Sequence, residues 1–207
     1  MKTIYEKIDK AKIPAMPRLE FPGRIIVITT EGEAEKAVDY LLTFPLLGID
    51  TETRPSFRRH VSNKVALLQV STEDTCFLFR LNILGLSSSV KRLLESEVMK
   101  VGVSLHDDVA MMMKRADFKP GNFIDLQQFV EQLGVKDKAL RKMYANLLQM
   151  NISKAQQLSN WEADILSEAQ KQYAAIDAWA CINLYKEIVR LAETQDYELV
   201  RNEAQPD

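Results

Sequence analysis

The chemistry in this chain is carried by acids whose spacing is ordinary and whose surroundings are not. Residues 46–57 read LLGIDTETRPSF. An apolar run, Leu46 to Ile49, ends in Asp50 and Glu52. Within a strand, residues i and i+2 share a face, so both carboxylates point to one place. Two like charges beside a buried strand repel each other and lose hydration. The same acid-x-acid spacing recurs at Glu31/Glu33, Glu33/Glu35, Glu95/Glu97, Glu162/Asp164 and Asp196/Glu198, always in polar surroundings that read as solvated faces. Only Asp50/Glu52 closes an apolar strand. Two further segments place acids where burial is expected. In KVGVSLHDDVAMM, Asp107 and Asp108 fall in the first turn of a helix that follows a strand. Capping explains one of them and leaves the other carboxylate free. In QKQYAAIDAWACINLY, Tyr173 and Asp177 are i, i+4 on an apolar helix face, where an unpaired carboxylate is rare. Tyr5 and Asp9 repeat that spacing among charged residues, where a solvated face is the reading.

Three segments thus aim carboxylates inward, and one or two oxygen-ligated divalent cations would stabilise the cluster. The two histidines (His60, His106) and two cysteines (Cys76, Cys181) form no CxxC or HxxxH cluster, so a zinc site is not expected; both thiols read as buried. With seven glycines and no GxGxxG or GxxxxGK[ST], a phosphate loop is absent.

Those acids need a sheet and helices to hold them. Strands are expected at 24–30, up to Glu52, at 64–72 and 75–81 as a hairpin, and at 98–104. Helices are expected at 31–44 (ended by Pro45), 87–97, 106–116 and 138–150, with a long one over 167–193. Residues 122–134 read as a strand turning into a helix that closes at Gly134. The buried face of the last helix is expected to carry Tyr173, Asp177, Ala180, Cys181, Leu184 and Ile188. Residues 1–23, with Pro14, Pro17 and Pro22, read as a short helix or turn and an irregular lead-in. The rest, 24–207, reads as one α/β domain: a sheet of mixed direction with helices on its faces. A length of 207 residues suits one large domain. No apolar run is long enough to span a bilayer, and the N-terminus lacks a secretory apolar core, so a cytoplasmic location is expected and no membrane partner. A net charge of −2 weakens, without excluding, a nucleic-acid role, because charge can be local.

DTE after an apolar strand, VGVSLHDD and YAAIDAWA, in that order, resemble the three motifs of the DEDD-type 3′–5′ exonucleases. The branch with tyrosine in its third motif fits best, as in ribonuclease D and the Werner-syndrome exonuclease domain. KVALLQVS and LSNWEADILSEAQ resemble segments around those motifs, and the likeness runs from about residue 24 to 192. It implies a ribonuclease H-like fold, three antiparallel strands followed by parallel ones. It also implies 3′–5′ exonuclease activity, a nucleic-acid substrate with a 3′ end, DNA or RNA, and two divalent cations, Mg²⁺ or Mn²⁺. By the resemblance, Asp50, Glu52, Asp108 and Asp177 are the metal acids. Asp50 would bridge both ions, Glu52 and Asp177 would hold the first, and Asp108 would act through water on the second. Tyr173 would orient the attacking water, and Asp107 is left as a candidate cap. Where relatives often have an aromatic after the acid pair, this chain has Thr53, with Phe57 further on.

A strand entering such a site needs cations for phosphates and flat groups for bases. Arg54, Arg58, Arg59, His60 and Lys64 follow the acid pair, and Phe57 and Trp161 are candidate stacking platforms. The competing reading is a non-catalytic nucleic-acid-binding or adaptor domain on the same fold, and no protein partner is inferable.

Overall fold

The computed structural model describes residues 1–56 and 63–201. In chain order the strands are β1 (Lys2–Tyr5), β2 (Arg24–Ile28), β3 (Leu46–Thr53), β4 (Val65–Ser71), β5 (Thr75–Phe79), β6 (Met99–Gly102), β7 (Phe123–Asp125) and β8 (Tyr197–Val200). The helices are α1 (Glu31–Leu41), α2 (Leu81–Leu84), α3 (Ser88–Glu95), α4 (Leu105–Met113), α5 (Leu126–Glu131), α6 (Leu140–Leu148) and α7 (Glu168–Thr194).

Six strands form one mixed sheet in the order β2-β5-β4-β3-β6-β7. β3, β4 and β5 run antiparallel, joined by the expected hairpin, and β6 and β7 continue parallel to β3. β2 closes the other edge parallel to β5. Every residue of β4 and β5 is buried, because helices cover both faces. One apolar cluster packs α1, α3 and α4 on the sheet; the other packs α5, α6 and α7 on the opposite face.

Local chemistry explains where the helices begin. Thr30 and Glu33 form a capping box at the start of α1, and Ser167 and Gln170 form another at the start of α7. Each satisfies amides the helix itself leaves open. α5 is followed by turns that end at Gly134, whose φ of +82° suits a residue without Cβ.

Two expectations fail, one at the termini and one mid-chain. The first 23 residues are not an irregular lead-in throughout: β1 pairs in parallel with β8, and Ile4 is fully buried in the same cluster as α7. Asn146 of α6 brackets Tyr5, accepting from its N–H at 2.9 Å and donating to its carbonyl at 2.7 Å. Neither strand is legible locally, since four residues such as KTIY form a strand only when a distant partner supplies the hydrogen bonds. The turn α2 is also unforeseen; it ends the apolar run 75–81, which is strand only to Phe79.

Candidate active site

The site begins with a glycine. A Cβ at Gly48 of β3 would lie 2.0 Å from the Ala178 carbonyl oxygen of α7. Only glycine lets the helix backbone approach this strand so closely. Ala178 follows Asp177, so the close approach delivers that carboxylate to the strand end two residues beyond Gly48. Carboxylate oxygens of Asp50, Glu52 and Asp177 lie within 4.8 Å of one another. The β3–β4 register shifts between Glu52 and Thr53, an irregularity that ends regular pairing beside the acids.

Asp108, in the first turn of α4, stands outside that trio. Its carboxylate accepts from the hydroxyl of Thr51, the residue between Asp50 and Glu52. Asp107 is exposed and is not the cap of α4. Asp125, at the end of β7, takes that place: its carboxylate accepts from the amides of Ser104 (3.3 Å) and Leu105 (3.0 Å), and from Gln127 (3.0 Å) at the start of α5. One acid from a neighbouring strand thus serves two helix N-termini, which no i, i+3 pattern reveals.

Among the described residues, no basic side chain is ion-paired or hydrogen-bonded to these acids. Burial, and then the charges of Asp177, Asp108 and Glu52, push the Asp50 carboxyl far above its usual range. Glu52 is pushed up to about 9 by burial and by Asp177 and Asp108. Burial raises Asp177 to about 7, while the Tyr173 hydroxyl, which donates to it, pulls the other way. Burial likewise raises Asp108 to about 6, against the Thr51 hydrogen bond. The Tyr173 hydroxyl is pushed further up by burial and by the same acids, so it stays protonated. Four acids held against their own ionisation, with only oxygen donors in the trio, fit a hard divalent cation.

Asp50, Glu52, Tyr173 and Asp177 line one cleft. Arg141 from α6 and Lys154 from the loop before α7 line the same cleft, neither of them singled out by the sequence. Arg141 is oriented by donation from Nε to the Asn151 side chain at 2.9 Å. The proposed strand-binding residues fare unevenly. Phe57, Arg58, Arg59 and His60 lie outside the described residues. Arg54 and Lys64 are exposed at either end of that segment and do not line the cleft; Arg54 pairs with Glu162 at 3.3 Å. Trp161 is fully buried, its ring 5.9 Å from that of Tyr173, so it offers no face to a base. It packs beneath the tyrosine instead. Arg80 donates to the carbonyls of Ala163 and Asp164, and Gln170 to Ser159 and the Asn160 carbonyl, clamping this loop under α7.

Residues 25–193 match the family model described as 3′–5′ exonuclease. The chain belongs to the 3′–5′ exonuclease family. A 3′–5′ exonuclease from Arabidopsis thaliana is 30% identical over 203 residues, covering 89% of this chain and 70% of that protein. Ribonuclease D from Haemophilus influenzae is 30% identical over 145 residues, covering 69% of this chain and 36% of that protein. Among solved structures, the exonuclease domain of Aedes aegypti Nibbler superposes with a TM-score of 0.75 at 18% identity, covering 88% of this chain and 94% of that one. The exonuclease thus has the ribonuclease H-like fold that its motifs imply, and no helix among its described residues is long and apolar enough to cross a membrane.

Proposed function

We propose that this exonuclease hydrolyses the phosphodiester bond at the 3′ end of a nucleic-acid strand by a two-metal-ion mechanism. The observation that carries the reading is the half-buried to buried Asp50–Glu52–Asp177 trio, without an ion-pair partner among the described residues and open to a cleft that Arg141 and Lys154 also line. Asp50, Glu52 and Asp177 would hold the two cations, with Asp108, hydrogen-bonded to Thr51 beside them, as the fourth acid. When bound, such a pair lowers the pKa of a coordinated water and stabilises the leaving oxygen.

The chain's own groups do the rest. Tyr173, protonated and fixed by Asp177 and by Trp161 beneath it, positions the attacking water rather than deprotonating it. Arg141 and Lys154 line the same cleft as the acids and would hold phosphate oxygens of the incoming strand, so a net acidic protein still presents local cations where phosphates pass. The ribonuclease D relative supports RNA as one substrate, and DNA is tested beside it.

The decisive measurement is digestion of 3′- and 5′-labelled single-stranded DNA and RNA with Mn²⁺, Mg²⁺ or chelator. A ladder shortening from the 3′ end, abolished by chelator, is the expected result. A ladder that persists in chelator ends the two-metal proposal. Tight binding with no cleavage under any cation returns the chain to the adaptor reading.

A further inference from the structure

Beside the acids lies a residue the mechanism has not used. Gln69 of β4 stands directly opposite Asp50 of β3 in the antiparallel register. Opposed residues in such a pair share a face, with Cβ atoms about 5 Å apart. Gln69 is fully buried, yet neither its Nε2 nor its Oε1 has a hydrogen-bond partner among the described residues. A buried carboxamide as the amide-bearing residue of the strand VALLQVS is costly unless something engages it. The neighbour across β4 on its other side, Leu78 of β5, has nothing polar to offer from its side chain.

We propose that Gln69 is a positioning residue for Asp50: its amide NH₂ donates to the Asp50 carboxylate, directly or through one water, when that carboxylate ligates a cation. The inference rests on the metal reading above and names a group that would make it work. An ionised carboxylate is acceptor-only, so an oxygen not on the metal needs a donor. Lysine opposite Asp50 would supply one, but its charge would compete with the cation. Glutamate would add a further repelling acid. Carboxamide donates without changing the charge of the site. Gln69 does not line the cleft, so it reaches the reaction only through Asp50. Donors of this kind orient metal ligands, and losing one weakens metal affinity about 10–100-fold.

The test is Gln69→Met, which keeps the shape and removes the hydrogen bonding. Mn²⁺ binding to the intact chain is followed by titration calorimetry, and unfolding is followed in chelator. The expected result is a dissociation constant at least about tenfold weaker, with chelated stability unchanged or higher because the orphaned amide is gone. Raising Mn²⁺ should restore most of the cleavage rate. Unchanged Mn²⁺ affinity in a folded Gln69→Met protein overturns the assignment and leaves Gln69 a packing residue. Should that variant not fold, the unaltered protein decides the matter: Mg²⁺ titration should shift the Gln69 side-chain amide resonances, and their indifference to Mg²⁺ sinks the proposal. Wild-type protein and Asp50→Asn separate the two levels of inference. If wild type binds no Mn²⁺, or Asp50→Asn binds it equally well, the metal reading itself has failed; if they differ as expected and only Gln69→Met is silent, only Gln69 has been misread.

Discussion

Two buried aspartates in this molecule have opposite lives. Asp137, just before α6, is 4% exposed; Asp177, on α7, is 7% exposed. Asp137 is paid in full by its neighbours: the Lys142 ammonium lies 2.9 Å away, and the Ile8 amide donates to it at 2.8 Å. It ties the N-terminal segment to the helix that carries Arg141. Asp177 instead faces two more carboxylates and has one tyrosine hydroxyl to steady it. Burial alone therefore says little about role. A satisfied buried acid holds the fold together, whereas an acid buried among acids strains it and waits for a cation.

Substitutions at the two positions should separate these roles, and the largest contrast is at the site. Asp177→Ala is expected to abolish 3′-end cleavage of a labelled strand while leaving chelated stability unchanged or raised, because a repelling charge is gone. A variant that cleaves normally would place Asp177 with Asp137 as a structural acid. Gly48→Ala should damage both properties. Its new methyl group meets the Ala178 carbonyl, so α7 must shift away from β3, costing about 1–3 kcal/mol as other overpacked sites do. Denaturant unfolding and metal affinity should therefore fall together, unlike in Asp177→Ala.

Asp137→Ala should give the reverse pattern. Leaving the Ile8 amide without its acceptor costs about 1–3 kcal/mol, read as a lower urea midpoint, while cleavage per folded molecule stays near wild type. The last effect is one of slope. Glu52, Asp177 and Asp108 have folded-state values raised to about 9, 7 and 6, so the folded protein holds more protons than the unfolded chain above pH ~4. Their contribution is complete below that pH and is lost as pH rises through those values. Chelated protein should thus lose stability progressively between about pH 4 and 9, and saturating Mg²⁺ should flatten the curve. A slope unaffected by Mg²⁺ would mean the acids are not a cation site.

The strands and helices around the site were legible because their apolar periodicity is local, as in VALLQVS or the i, i+4 face of α7. The acid trio was legible for a related reason: polar residues stood where burial was written into the neighbouring pattern. Gln69 carried the same signal, a carboxamide inside an apolar strand, but without charge it drew no attention. Trp161 was misread, because aromatic character does not say which side of a ring will be covered. The same holds for Asp107, since the cap of α4 comes from Asp125 on another strand.

What the sequence determined by itself, then, was the set of elements and which acids those elements would carry inward, for periodicity fixes a side chain's face relative to its own strand or helix. What only the tertiary structure decided was company: that β1 would find β8, that α7 would close on Gly48, that Arg141 and Lys154 would line the acids' cleft, and that Gln69 would stand opposite Asp50. Such pairings join residues far apart along the chain, and the free energy that selects them comes from packing and hydrogen bonds that exist only once the whole fold is assembled.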